Sequence, residues 1–148
     1  MARTRVKPVL NTHFVLDCSI VLAWYFIDES DPYADAVAAA LPGASALVPS
    51  LFHLELANTL IVGERRKRST EAQATAFLAR LAGLPIMVDG QTVTRAWSET
   101  IALARSHGLS AYDAAYLELA ARESLPLATL DDKLETAAKA IGVPMFKP

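Results

Sequence analysis

The chain has 148 residues, with 14 Lys and Arg against 16 Asp and Glu, a formal net charge of −2, and 53% hydrophobic residues. High apolar content with balanced charge excludes disorder, and a lone cysteine, Cys18, excludes a disulfide framework and points to a reducing, cytoplasmic setting. The length suits one domain, 1–148, with a proper core, and the missing basic excess argues against a general polyanion-binding module.

Arg3, Arg5 and Lys7 open the chain without an apolar signal core behind them, so the N-terminus reads as a frayed start and not a signal peptide. Short apolar runs then alternate with helical stretches. His13–Leu16 ends at Asp17, Ala46–Val48 at Pro49, Pro85–Val88 at Asp89 and Leu125–Leu130 at Asp131; Val143–Phe146 closes the chain. Each has the length of a strand buried on both faces. The apolar run 18–27 and the uncharged stretch 36–54, broken by Pro42, Gly43 and Pro49, are unfit to span a membrane, which takes ~20 mainly apolar residues. Asp31-Pro32 marks a helix start, Pro49-Ser50 opens a helix to about Lys67, and Ser69 or Thr70 caps one to about Leu81. A helix from about Thr92 to Ser106 stops at Gly108, Ser110 starts one to about Glu123, and the last runs from about Asp131 to Ala140 before Gly142. The 27 alanines favour helix throughout. Strand–helix alternation without hairpin signals indicates an α/β fold with a mostly parallel central sheet covered on both faces.

Position selects among the sixteen acids. Ligands bind beyond the carboxyl ends of strands in an open parallel sheet. Asp17 and Asp131 follow apolar strands, Asp113 sits in the first turn of a helix, and Glu55 lies about one turn into the helix after the second strand. Each has a plain alternative. Asp17 and Asp131 suit helix N-caps, Ser110-x-x-Asp113 fits a capping box, and Glu55 suits a solvated helix face. The apolar surroundings of Asp17 and Glu55 weigh the other way, because carboxylates there are costly unless a cation neutralises them. Oxygen donors select a hard cation, Mg²⁺ or Mn²⁺. Such an ion polarises a phosphodiester and acidifies a bound water, so the reaction class is metal-assisted phosphodiester hydrolysis.

At these residues the sequence resembles the PIN-domain family, and within it the VapC-type toxins of type II toxin–antitoxin systems. The likeness runs through Val15-Leu16-Asp17-Cys18-Ser19, then Leu54-Glu55-Leu56-Ala57-Asn58-Thr59-Leu60, then Leu109-Ser110-Ala111-Tyr112-Asp113-Ala114-Ala115-Tyr116-Leu117, and finally Leu127-Ala128-Thr129-Leu130-Asp131. The resemblance implies an α/β/α sandwich and a Mg²⁺- or Mn²⁺-dependent endoribonuclease acting on RNA. It places Asp17, Glu55, Asp113 and Asp131 at the acidic positions. Asp17 and Asp113 are expected as direct metal ligands, Asp131 as a ligand or an anchor of waters, and Glu55 as acting through a water. Asp132 is the substitute if the last motif is displaced by one. Ser19, Asn58 and Thr129 are expected to steady the carboxylates. A cognate VapB-like antitoxin and a homodimer are the implied partners, with Trp24-Tyr25-Phe26 as core or as a groove for either.

Other features give less. Arg65-Arg66-Lys67-Arg68 reads as a solvated helix end, or as a weak RNA phosphate contact. Tyr112 and Tyr116 read as core, with base stacking as the alternative. His13, His53 and His107 lack zinc-ligand spacing, and no nucleotide-binding glycine loop or serine-hydrolase elbow occurs. Two competing readings remain. One is a free-standing nuclease of the same family in RNA processing. The other is a catalytically silent regulatory module, for which Asp89 would have to serve as phosphoacceptor.

Overall fold

The computed structural model describes residues 12–148; the basic start at Arg3, Arg5 and Lys7 lies outside the described residues. Four parallel strands form the sheet: β1 (Thr12–Leu16), β2 (Ala44–Val48), β3 (Ile86–Val88) and β4 (Leu127–Ala128), in the order β3-β2-β1-β4. Val15 faces Leu47 on one side and Leu127 on the other, which brings the ends of β1 and β4 to one level. The central strand β1 is buried on both faces at Phe14, Val15 and Leu16, as its unbroken apolar run requires.

Eight helices flank the sheet among the described residues: α1 (Cys18–Tyr25), α2 (Pro32–Ala40), α3 (Phe52–Arg65), α4 (Glu71–Leu81), α5 (Thr92–Arg95), α6 (Ile101–His107), α7 (Ala111–Glu123) and α8 (Asp132–Ala140). This is the α/β/α arrangement of helices over a parallel sheet. No helix among the described residues is long and apolar enough to cross a membrane.

Sequence signals placed most ends well. Asp31 caps α2 by accepting from the N–H groups of Tyr33 and Ala34. Thr70 and Gln73 close a full capping box at the start of α4. Gly108, at φ 62°, stops α6 where a left-handed residue is needed.

Four elements differ from expectation. Helix α1 follows directly on β1, with Cys18, Ile20, Val21 and Ala23 buried; an eight-residue helix apolar on nearly every side shows no 3.6-residue period. Helix α3 starts at Phe52 and ends at Arg65, because Pro49 forms a turn accepting from Phe52 N–H and Lys67 turns the chain at φ 58°. The expected helix 92–106 is interrupted by one π-turn over Ala96–Thr100, a widening invisible to residue periodicity. The expected final strand makes a single parallel bridge, Met145 to Leu127, and Phe146 stacks on Phe14 at 4.0 Å between ring centres.

The aromatic trio after β1 packs α1 against its neighbours. Trp24 Nε1 donates to the Ala34 carbonyl at 2.7 Å, and Tyr25 meets Phe77 of α4 at 4.9 Å. A Cβ at Gly63 would come within 2.9 Å of the buried Phe26 ring, so a larger residue there forces that ring to shift.

Candidate active site

The site lies at the carboxyl edge of β1 and β4. Asp17 holds the position before α1 in extended backbone, yet its carboxylate does not cap that helix. It turns into the protein and is 5% exposed. Two hydroxyls converge on its Oδ2: Ser19 Oγ donates at 2.5 Å and Thr129 Oγ1 at 2.8 Å. Each hydroxyl has one proton, spent on Asp17, and accepts in return a backbone N–H from the loop after β4. Ser19 Oγ takes Leu130 N–H and Thr129 Oγ1 takes Asp131 N–H, both at 3.0 Å. Two short side chains thereby lock the ends of β1 and β4 together around one carboxylate, whose Oδ1 receives no side-chain donor among the described residues.

The other acids are less enclosed. Glu55, half-buried in the first turn of α3, accepts at Oε1 from the Tyr116 hydroxyl of α7 at 2.6 Å. Asp113 lies in the first turn of α7, where Ser110 Oγ accepts its N–H at 3.1 Å. The reverse bond of a capping box, from the Ser110 N–H to the Asp113 carboxylate, is not made. Asp131 does cap: its Oδ1 accepts from Leu134 N–H at 2.9 Å, leaving the second oxygen over. Asp132 is an exposed first residue of α8.

These carboxylates sense each other. Burial pushes Asp17 above the ordinary aspartate value; the two hydroxyls oppose this and the Asp113 charge adds to it. Burial likewise raises Glu55, against the pull of the Tyr116 bond, with Asp17 and Asp113 adding repulsion. Asp113 is raised by desolvation and by the Asp131 charge, while Ser110 and the Lys133 charge lower it. Among the described residues, none of the four forms a salt bridge; the arginine ion pairs lie elsewhere.

The donor set is all oxygen, anionic and short of positive charge, which is the chemistry of a hard divalent cation. Among the described residues no three His, Cys, Asp or Glu side chains stand close enough to hold an ion jointly. This spacing is compatible with a cation held by one or two carboxylates with water completing the shell, a usual arrangement for Mg²⁺.

A PIN-domain family model matches residues 14–140. The chain belongs to the PIN-domain family. Ribonuclease VapC3 of Pyrobaculum aerophilum is a relative of this PIN-domain protein, 29% identical over 130 residues that cover 88% of this chain and 98% of the relative. The crystal structure of PAE2754 from Pyrobaculum aerophilum has a similar fold, at a TM-score of 0.64, with 20% identity and 87% of each chain covered.

Other residues of interest fall differently. Asn58 is exposed and makes no side-chain hydrogen bond among the described residues, away from the steadying role expected of it. Arg65, Arg66 and Lys67 are exposed, but Arg68 is engaged: its guanidinium takes both oxygens of Asp28 at 3.1 Å and lies 3.9 Å over the Phe26 ring. Tyr116 is fully buried as expected of core, whereas Tyr112 is 66% exposed, because burial on α7 begins only at Ala114. Asp89 is committed to Arg122, which donates to it at 2.7 and 3.3 Å and also pairs with Glu118 and Glu123, leaving little room for a phosphoacceptor role. One contribution was hidden in the sequence: Tyr116 reaching Glu55 across 61 residues. The motif spacing placed both tyrosines four apart on one helix but gave no sign that only one reaches an acid.

Proposed function

We propose that this PIN-domain protein is a Mg²⁺- or Mn²⁺-dependent endoribonuclease and the toxin of a VapBC-type module. The observation that carries the reading is Asp17: a buried carboxylate held by two hydroxyls, beside Glu55 and Asp113, with no salt-bridge partner among the described residues. The curated ribonuclease relative, matched over nearly its whole length, supports RNA as the substrate.

When bound, the divalent ion would polarise the scissile phosphate and acidify a water. The chain's own residues supply the rest. Asp17 and Asp113 would hold the ion, and Ser19 and Thr129 fix one oxygen of the Asp17 carboxylate, which leaves the other for the ion. Asp131, one oxygen of which already caps α8, acts on the centre through water. Glu55 aligns the attacking water and accepts its proton, a role that its raised affinity for protons suits. Arg65, Arg66 and Lys67 supply weak contacts to RNA phosphates. The exposure of Tyr112, next to Asp113, supports a role in stacking on a base.

The partners follow from the same reading: a VapB-like antitoxin, a second copy of the chain, and a cytoplasmic setting. The groove lined by Trp24, Tyr25, Phe77, Gln73 and Arg80 suits an amphipathic antitoxin segment. Incubating the purified protein with total RNA in Mg²⁺, Mn²⁺ or EDTA, and sequencing the new ends, tests the activity. Cleavage at defined positions that EDTA abolishes is expected; undamaged RNA in both metals would refute it. A small adjacent reading frame encoding a DNA-binding protein separates the toxin from a free-standing nuclease.

A further inference from the structure

Tyr116 is fully buried, its ring part of the core between α7 and the sheet. Phenylalanine would fill almost the same space. A buried phenol hydroxyl carries a desolvation cost unless it is bonded, and its partner here is Glu55 Oε1 at 2.6 Å. The tether joins helices 61 residues apart in the chain.

Glu55 in turn depends on that bond. It is a flexible side chain with no salt bridge among the described residues, and the Asp17 and Asp113 charges repel it. Its own helix offers no substitute, since Thr59 Oγ1 donates to the Glu55 backbone carbonyl and not to its carboxylate. Left alone, the side chain would swing towards solvent. The hydroxyl pins one oxygen, and among the described residues Oε2 has no side-chain donor. Burial and the neighbouring anions push the Tyr116 phenol far up, so it stays a proton donor at every working pH.

We propose that Tyr116 is a positioning residue of the acidic centre: its hydroxyl, standing where a lysine or arginine would ordinarily hold a carboxylate, aims the free oxygen of Glu55 at the water it activates. The inference rests on the nuclease reading and adds a residue to it. Tyr116 touches neither substrate nor ion; it acts through Glu55.

The test is a double-mutant cycle on the full chain with wild type, Tyr116→Phe, Glu55→Ala and the double variant, read by RNA-cleavage kinetics and by urea midpoint. Tyr116→Phe keeps the ring, so it is expected to fold and to bind RNA with KM within about twofold of wild type. Its kcat is expected to fall about tenfold, with no further loss when added to Glu55→Ala. The two changes are also expected to be non-additive in urea midpoint. An unchanged kcat, or the same fold-loss with and without Glu55, overturns the positioning role. Additive urea midpoints overturn the tether itself. If the wild type cleaves no RNA in Mg²⁺ or Mn²⁺, the nuclease reading falls and the catalytic use of the tether with it, while the urea cycle still reports whether the bond exists.

Discussion

Replacing Thr129 with valine isolates the joint on which the site hangs. Thr129 is 4% exposed, and its hydroxyl donates to Asp17 Oδ2 at 2.8 Å while accepting Asp131 N–H at 3.0 Å. Valine keeps the shape and removes both bonds. A hydrogen bond to a charged acceptor is worth about 1.5–3 kcal/mol, and a stranded buried N–H costs about 1–3 kcal/mol. Ser19 continues to serve Asp17, so the combined loss falls at about 2–4 kcal/mol. For a chain of this size that lowers Tm by roughly 5–15 °C. Thr129→Ser keeps the hydroxyl and loses only a methyl, so it should cost about 1 kcal/mol. Urea unfolding of the three proteins measures the difference, and RNA cleavage should fall further for valine than for serine. Valine within about 0.5 kcal/mol of wild type would show that the hydroxyl does not carry the joint, against the usual range for such bonds.

Three further outcomes follow from other parts of the molecule. Asp17, Glu55 and Asp113 all bind protons more tightly folded than unfolded. Their stabilising contribution is therefore present at and below the ordinary carboxylate values, 3.8 and 4.5, and is lost as pH rises through the raised folded values. In EDTA, Tm should fall over that rise in pH, less steeply for Asp17→Asn; Mg²⁺ should flatten the wild-type slope, and equal slopes for the two proteins would refute the assignment. Arg122→Met strands the carboxylates of Asp89 and Glu118, whose side chains are 10% and 6% exposed, and should cost about 3–5 kcal/mol in urea unfolding. Arg65→Ala with Arg66→Ala should reduce the salt dependence of RNA binding, whereas Arg68→Ala, whose partner Asp28 is exposed, should shift stability by about 1 kcal/mol or less and leave that slope alone.

The strand–helix alternation and most helix ends were legible because local chemistry decides them: Asp31 before Pro32, Thr70 with Gln73, Gly108 at a left-handed turn; the strand order was not, because it rests on pairing between distant segments. Helix α1 was not, because a segment buried on nearly every side loses the period that reports a helix. The π-turn at Ala96–Thr100 changes hydrogen bonding without changing composition, so it leaves no trace in residue type. At the candidate site, the four acids stood out by position at strand and helix ends. Their division of labour did not. Asp131 is a helix cap and Asp17 is not, although each ends a strand; the difference lies in where Ser19 and Thr129 point, which only the paired strand ends determine. Arg68 belonged to the densest basic run in the sequence, yet folding brings Asp28 and Phe26 beneath it.

Titration of Mn²⁺ into the wild type and into Asp17→Asn and Asp113→Asn, followed by calorimetry, tests the convergence of these carboxylates on one ion most directly. The wild type is expected to bind Mn²⁺ with a saturable isotherm that each substitution weakens at least about tenfold, or ~1.4 kcal/mol. Equal affinity in all three folded proteins would contradict the account.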